Sequence, residues 1–298
     1  MRLLLLYNPE AGKGRAHRHI AEAVARLQAH GAEVELQPSR GPEHLIELGA
    51  HAASSGADRI VACGGDGTVN LVLRRLDLDR ATFGVLPLGS GDDFAKTVGI
   101  PADLEGACEV LLKGQIRPID VAMANDVRYV CVAGFGFDSE VNRVANQSTS
   151  RLRGTPLYLA SIFKVLRKFE PHHVAVQNGV ARWNQEMMFL VVANSPRYGA
   201  GIHIAPHAVP DDGLLDLCVV GKCGKMELVR TLPLAYSGGH LKRSFVHYQK
   251  GTEFSFQTLE PMDVYADGEP VTRTPVHFSI HPQKLRLLVP AVDAAEVP

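Results

Sequence analysis

Apolar runs and helical spacings alternate along the first 120 residues, which predicts an α/β domain. Residues 3–7 read as a fully buried strand. Ile20, Val24 and Leu27 then recur at helical spacing until Gly31. A short strand at 34–36 precedes a helix marked by Leu45, Leu48 and Ala52 that stops near Gly56. A further buried strand at 59–63 enters Gly64-Gly65-Asp66-Gly67-Thr68, and a helix carrying Val69, Val72, Leu73 and Leu76 follows. A strand at 83–86 leads into Gly89-Ser90-Gly91-Asp92-Asp93, and two further helical stretches reach Lys113. This order predicts an open, doubly wound parallel sheet with helices on both faces.

Past Pro118 the period changes from helix to strand. Runs at 119–123, 129–132, 173–177, 187–193, 214–220, 253–257, 276–280 and 285–289 predict a mainly antiparallel unit, interrupted by helices at 156–169 and 225–236. No low-complexity linker or internal repeat separates the halves. The expected fold class is therefore α/β plus mainly-β, with an α/β domain over 1–119 and a β-rich domain over 120–298. The extreme C-terminus is expected to pack back on the first domain. A tight junction leaves an inter-domain cleft, a favoured place for a ligand.

Charge narrows the function classes. With 31 Lys and Arg against 32 Asp and Glu, the net charge is −1, so no excess of cations exists to neutralise nucleic-acid phosphates. The five cysteines form no CxxC pair, and Cys63, Cys131 and Cys218 lie in apolar strand-like runs, as buried free thiols in a reducing compartment would. The apolar stretch at 3–7 is too short for a signal peptide, and no segment approaches the roughly 18 apolar residues that span a bilayer. A membrane-borne substrate is thus expected to be met from the cytoplasm, by peripheral and reversible association.

Three glycine-bearing turns, residues 8–14, 64–68 and 89–93, fall at the carboxyl ends of predicted strands, where open α/β sheets collect ligands. Glycine permits close backbone approach, so that N–H groups can point at phosphate oxygens. Lys13 is followed by Gly14 rather than Ser or Thr, so no Walker A loop is present, and neither Gly12-Lys13-Gly14 nor Gly89-Ser90-Gly91 completes GxGxxG.

Asn8-Pro9-Glu10-Ala11-Gly12-Lys13-Gly14-Arg15, Gly64-Gly65-Asp66-Gly67-Thr68-Val69-Asn70 and Pro87-Leu88-Gly89-Ser90-Gly91-Asp92-Asp93-Phe94-Ala95 resemble the nucleotide-side motifs of the soluble diacylglycerol kinase family, which includes sphingosine and ceramide kinases. The resemblance continues through Ile119-Asp120, Ala133-Gly134-Phe135-Gly136-Phe137-Asp138, the stretch from Ala205 to Asp216, and Asp267-Gly268-Glu269. It implies an NAD kinase/phosphofructokinase-like N-terminal domain and a C-terminal antiparallel β-sandwich. It also implies an ATP-dependent lipid kinase that moves the γ-phosphate to diacylglycerol or a related lipid alcohol. Two positions depart from the family pattern: Leu71 stands where Glu is usual and Asp92 where Asn is usual, the latter adding a negative charge near the phosphates.

Roles follow from the resemblance. Asn8, Lys13, Gly64, Gly65, Asp66, Gly67, Thr68, Gly89 and Ser90 are expected to bind nucleotide, with Lys13 as a solvated turn lysine the plain alternative. Asp66 and Asp93 are expected in a magnesium network, against a plain reading as helix N-caps. Asp267 is expected as general base with Glu269 beside it, although Asp-Gly alone marks a hairpin. Asp212, with the carbonyls of Val209 and Leu214, is implied as a structural cation site, against an ordinary turn.

The basic amphipathic stretch 151–169, with Arg151, Arg153, Lys164, Arg167 and Lys168, is either a packed helix with a solvated face or one that lies on anionic lipid. His203 and His207 share i,i+4 spacing, but Pro206 between them argues against a helical zinc site. A lipid substrate at a membrane surface is the partner expected, with a homodimer also allowed and nucleic acid excluded. Two rival readings share the same motifs: an NAD kinase-like phosphotransferase, and a nucleotide-binding regulator without turnover.

Overall fold

A computed structural model describes residues 1–146, 155–178, 181–199 and 201–291, and it divides into two compact units. The first contains 1–121 and the chain from 281 onward; the second is 122–280.

The first unit begins with β1 (Arg2–Tyr7), α1 (Ala11–Ala29), β2 (Glu33–Pro38), α2 (Pro42–Ala52), β3 (Arg59–Gly64) and α3 (Asp66–Leu73). It continues with β4 (Thr82–Pro87), α4 (Asp93–Thr97), α5 (Leu104–Lys113) and β5 (Gln115–Ile119). Leu3, Leu4, Leu5 and Leu6 are at most 2% exposed, as a strand covered on both faces requires. Helices α1 and α5 pack on each other, as do α2 and α3. Asp103 starts α5 by accepting the Gly106 N–H at 2.8 Å.

The second unit contains β6 (Ala122–Ala124), β7 (Val127–Tyr129), β8 (Val132–Gly136), α6 (Phe137–Asn146), α7 (Thr155–Lys168), β9 (His172–Asn178), β10 (Ala181–Ala193) and β11 (Leu215–Gly221). Then come α8 (Lys225–Thr231), two short 3-10 turns, β12 (Val246–Gly251), β13 (Glu253–Thr258), β14 (Asp263–Ala266), β15 (Glu269–Arg273) and β16 (Val276–Ile280). All of its strand pairs are antiparallel.

Strand β10 organises this sheet. Its first half pairs with β9, and its second half lies between β8 and β11, with a register shift between Met187 and Phe189. One strand thereby serves two sets of partners, around a core that includes Tyr129, Phe135, Phe254, Phe256 and Phe278. Three edge-on ring pairs, Tyr129–Phe278, Phe135–Phe256 and Phe256–Phe278, hold that core at centroid distances of 5.7–6.3 Å.

The last strand, β17 (Leu285–Val289), returns to the first unit, between β4 and β5 in the order β2-β1-β3-β4-β17-β5. It runs parallel to β4 and antiparallel to β5. Lys284 just before it places its ammonium 2.7 Å from Asp120, whose side chain is fully buried. Among the described residues no helix is long and apolar enough to cross a membrane. Burial raises the thiols of Cys63, Cys108, Cys218 and Cys223, Cys218 to about 12 and Cys223 to about 11.

Candidate functional site

In the first unit, β1, β3 and β4 are adjacent and parallel, so the turns after them must emerge side by side. Backbone bonds tie each to the next. The Asn8 N–H donates to the Cys63 carbonyl at 3.2 Å, and the Leu88 N–H donates to Gly64 at 3.0 Å. Arg15 closes the ring with Nη1 donating to the Gly89 carbonyl at 3.4 Å.

The first turn is opened by Asn8, whose Oδ1 accepts the Glu10 N–H at 3.0 Å. It then passes through three successive left-handed residues, Gly12, Lys13 and Gly14, with φ of 59°, 58° and 79°. A side chain at Gly12 would meet the Leu88 carbonyl at 2.3 Å, so the first and third turns touch there. Lys13 itself is exposed.

The second turn begins α3: the Thr68 and Val69 N–H groups both bond the Gly65 carbonyl, at 2.9 and 3.1 Å. Gly65 has φ −94° and ψ −170°, ordinary extended backbone, so conformational freedom is not why it is glycine. The reason is proximity. A Cβ built on Gly89 would lie 2.4 Å from the Gly65 Cα, and one on Gly65 would lie 3.1 Å from the Gly89 Cα.

Asp66 joins the second turn to the third. Its Oδ2 accepts the Asp93 N–H at 3.1 Å and its Oδ1 the Phe94 N–H at 2.9 Å, which caps α4 from another element. The capping alternative for Asp66 is thus realised across the fold rather than on its own helix, and it sets the Asp66 carboxylate against the backbone of Asp93. Ser90 lies exposed at the tip of the third turn.

The two departures from the family pattern have simple structural accounts. Leu71 is 6% exposed and packs in the core beside Val72 and Leu73. Asp92 is left-handed at φ 53° and its Oδ1 accepts the Gly89 N–H at 2.9 Å, a conformation and a bond that Asn makes equally well. Burial raises the Asp92 carboxyl, partly offset by the Gly89 N–H and the charges of Arg15 and Lys96.

In the second unit, Asp267 and Gly268 turn the β14–β15 hairpin with φ of 49° and 88°, the two positive values of a type I′ turn. The Asp267 carboxylate is held by three backbone donors: Val130 N–H to Oδ2 at 3.0 Å, and Cys131 and Val132 N–H to Oδ1 at 3.1 and 2.9 Å. Its own N–H donates to the Val132 carbonyl at 3.0 Å. Sequence reasoning missed these donors because an N–H at a strand entrance carries no residue-type signature. Glu269 follows, half-buried, as the first residue of β15.

The loop before β11 carries the residues implied for a structural cation. Asp212 accepts the Leu214 N–H at Oδ1, 3.0 Å, and the Lys250 ammonium at Oδ2, 3.0 Å. The Val209 carbonyl accepts the Asp212 N–H at 3.4 Å. Lys250 also lies 3.6 Å from the fully buried Asp216, which accepts the Tyr248 hydroxyl. Burial raises the Asp216 carboxyl against the opposing effects of Tyr248 and Lys250. Burial also works against the Lys250 ammonium, but its bond to Asp212 and the charge of Asp216 outweigh it and raise its pKa.

The second unit also contains an apolar cavity of about 350 Å³, lined by Phe137, Ile162, Phe189, Ile204, Leu228 and His240. Phe163 and Tyr236 also line it and are 61% and 54% exposed. On α7, Ile162, Val165 and Leu166 are buried, as is Phe169 just after it, whereas Phe163, Lys164, Arg167 and Lys168 are exposed. Arg151 and Arg153 of the basic stretch lie outside the described residues.

Comparison with known proteins agrees with this geometry along both units. Residues 2–124 match the family described as diacylglycerol kinase catalytic domain, and residues 131–289 match the YegS C-terminal NAD kinase beta sandwich-like domain. A diacylglycerol kinase of Bacillus subtilis is 27% identical over 299 residues, covering 99% of each chain. A probable lipid kinase YegS-like of Pseudomonas aeruginosa is 30% identical over 294 residues, covering 97% of this chain and 94% of the relative. A crystal structure of a diacylglycerol kinase from Bacillus anthracis shares the fold with a TM-score of 0.72 at 20% identity, covering 99% and 98% of the two chains. Tied glycine turns in one unit, a β-rich partner unit and a match that runs through both together make this chain a member of the bacterial soluble diacylglycerol kinase-like family.

Proposed function

We propose that this chain is an ATP-dependent lipid kinase in which the first unit binds ATP and the second unit holds the acceptor lipid. The observation that carries the reading is the ring of three glycine turns, bonded to one another at the ends of β1, β3 and β4. Asn8, Lys13, Gly64, Gly65, Gly67, Thr68, Gly89 and Ser90 line those turns and would cradle the phosphates. Helix α3 starts at the second of these turns, and a helix N-terminus favours negative charge.

The donor set suits Mg²⁺: Asp66 accepts the backbone N–H of Asp93, so two aspartates meet at these turns, and that ion prefers one or two carboxylates plus phosphate oxygens and waters. Bound with ATP, Mg²⁺ would neutralise charge on the β- and γ-phosphates. Asp267 would accept the proton of the attacking hydroxyl, with Glu269 beside it. The three N–H groups that fix its carboxylate give the base a set direction before substrate arrives.

The apolar cavity supports a lipid acceptor, because its lining can desolvate an acyl chain and offers little to a sugar or nucleotide. Diacylglycerol or a related lipid alcohol is the substrate class that follows. The regulator alternative loses its two hints, since Leu71 is core packing and Asp92 makes the bond an Asn would make. Incubation with γ-labelled ATP and a total lipid extract is expected to give a labelled phospholipid that needs Mg²⁺. Label appearing in NAD instead, or in no acceptor, would overturn the lipid kinase reading.

Such an acceptor implies reversible contact with a membrane, and the exposed face of α7 supplies both an aromatic side chain and three cations. Each basic side chain near an anionic surface contributes about 1 kcal/mol, weakened by salt. The double substitution Arg167→Glu and Lys168→Glu is therefore expected to lower activity on anionic vesicles at low salt. Turnover of a short-chain, water-soluble acceptor should be spared. Equal activity of variant and wild type on both acceptors would remove α7 from the contact.

A further inference from the structure

The family resemblance implies a bound structural cation at Asp212, with the carbonyls of Val209 and Leu214, and the residues present do not fit one. Both Asp212 oxygens are engaged, one by the Leu214 N–H and one by the Lys250 ammonium, each at 3.0 Å. The Val209 carbonyl accepts the Asp212 N–H at 3.4 Å and so closes a turn. A divalent ion seated on Asp212 would have to displace the ammonium or share the carboxylate with it, against the repulsion of two cations.

We propose that Lys250 is a built-in counter-ion for this loop, taking the place of a bound divalent cation. The geometry explains how. Strand β12 pairs with β11 so that Lys250 stands directly opposite Asp216, and directly opposed residues place their side chains on one face. Tyr248, two residues earlier on the same face, donates its hydroxyl to Asp216. From this position the lysine stem carries its ammonium to two carboxylates, 3.0 Å from Asp212 in the loop and 3.6 Å from Asp216 in the strand.

One side chain thereby holds the loop before β11 to the sheet and compensates a fully buried carboxylate. The side chains of Lys250 and Asp212 are only 33% and 26% exposed, so solvent screens the contact incompletely. The proposal stands on the second unit's own geometry and does not depend on which acceptor the enzyme uses.

The test compares thermal melting of nucleotide-free protein, stripped with chelator, with and without millimolar Mg²⁺ or Ca²⁺. Wild type should melt at the same temperature in all three conditions. Lys250→Met should melt roughly 5–10 °C lower, as loss of the cation that compensates the fully buried Asp216 predicts, and Lys250→Arg should stay within about 2 °C of wild type. Three results would overturn the proposal: a divalent-dependent gain in the wild type that Asp212→Asn abolishes, Lys250→Met melting with the wild type, or Lys250→Arg falling as far as Lys250→Met. Should Lys250→Met fail to fold, the wild-type, Asp212→Asn and Lys250→Arg measurements still decide.

Discussion

Asp267→Asn is expected to lower phosphoryl transfer by roughly 10²–10⁴-fold, the usual worth of a positioned acid or base, while ATP affinity stays within about twofold. The structure adds a second, separable effect. Oδ1 serves two N–H donors and Oδ2 one, so an asparagine that keeps its oxygen toward Cys131 and Val132 must turn an amide NH₂ toward the Val130 N–H. That mismatch should cost about 1–3 kcal/mol of stability, and Asp267→Ala, which strands all three donors, should cost more.

Activity and melting therefore have to be measured together. A general base predicts that Asp267→Asn, assayed well below its melting temperature, remains slow with an unchanged KM for ATP. A purely structural carboxylate predicts that turnover returns once the variant is fully folded. Near-normal kcat in folded Asp267→Asn would take this residue out of the chemistry and leave it as the tie between the β14–β15 hairpin and the entrance to β8.

Gly89→Val is expected to weaken ATP binding by about 5- to 150-fold. A Cβ there would stand 2.4 Å from the Gly65 Cα and 2.4 Å from the Asp92 Oδ1, and the first of these is backbone that cannot swing aside. Overpacking of this kind costs about 1–3 kcal/mol, and that range converts to the stated change in Kd if the cradle geometry absorbs it. Gly65→Val is expected to do less. Its Cβ would meet the Gly89 Cα at 3.1 Å, a gap that a shift of a few tenths of an ångström relieves, and its extended φ and ψ suit a β-branched residue. Calorimetric titration with ATP checks both, and an unchanged Kd in folded Gly89→Val would show that the second and third turns are not the phosphate cradle.

Local pattern was sufficient wherever one element carries its own signal. The runs that became β1, β3 and β4 are apolar without interruption because both faces of an inner parallel strand are covered, so they were legible as strands before any partner was known. The turns after them were legible as ligand turns for a related reason: glycines in succession after a buried strand leave backbone exposed. The long amphipathic α7 and the Asp267-Gly268 hairpin could be read for the same reason.

What the chain does at long range could not be read in this way. Helix α6 carries few apolar positions beyond Phe137, Val141 and Val144, and an edge-on contact of Phe137 with Phe169 at 5.3 Å helps to anchor it. Strands β12, β14 and β15 are short and half-polar, and their strand character comes from neighbours contributed by distant segments. Strand β17 looks locally like one more strand of the second unit, and its ladders to β4 and β5 assign it to the first.

The same division runs through the functional residues. Asp66, Asp212 and Asp267 could be singled out by type and motif, but the charge state and duty of a carboxylate depend on what donates to it. Those donors are the N–H groups of α4, the ammonium of Lys250 and the N–H groups entering β8, which lie 27–28, 38 and 135–137 residues away in sequence. Hydrogen bonds and ion pairs act over about 3 Å in space whatever the separation along the chain. The sequence by itself could therefore point to the carboxylates, and only the tertiary structure could supply their partners.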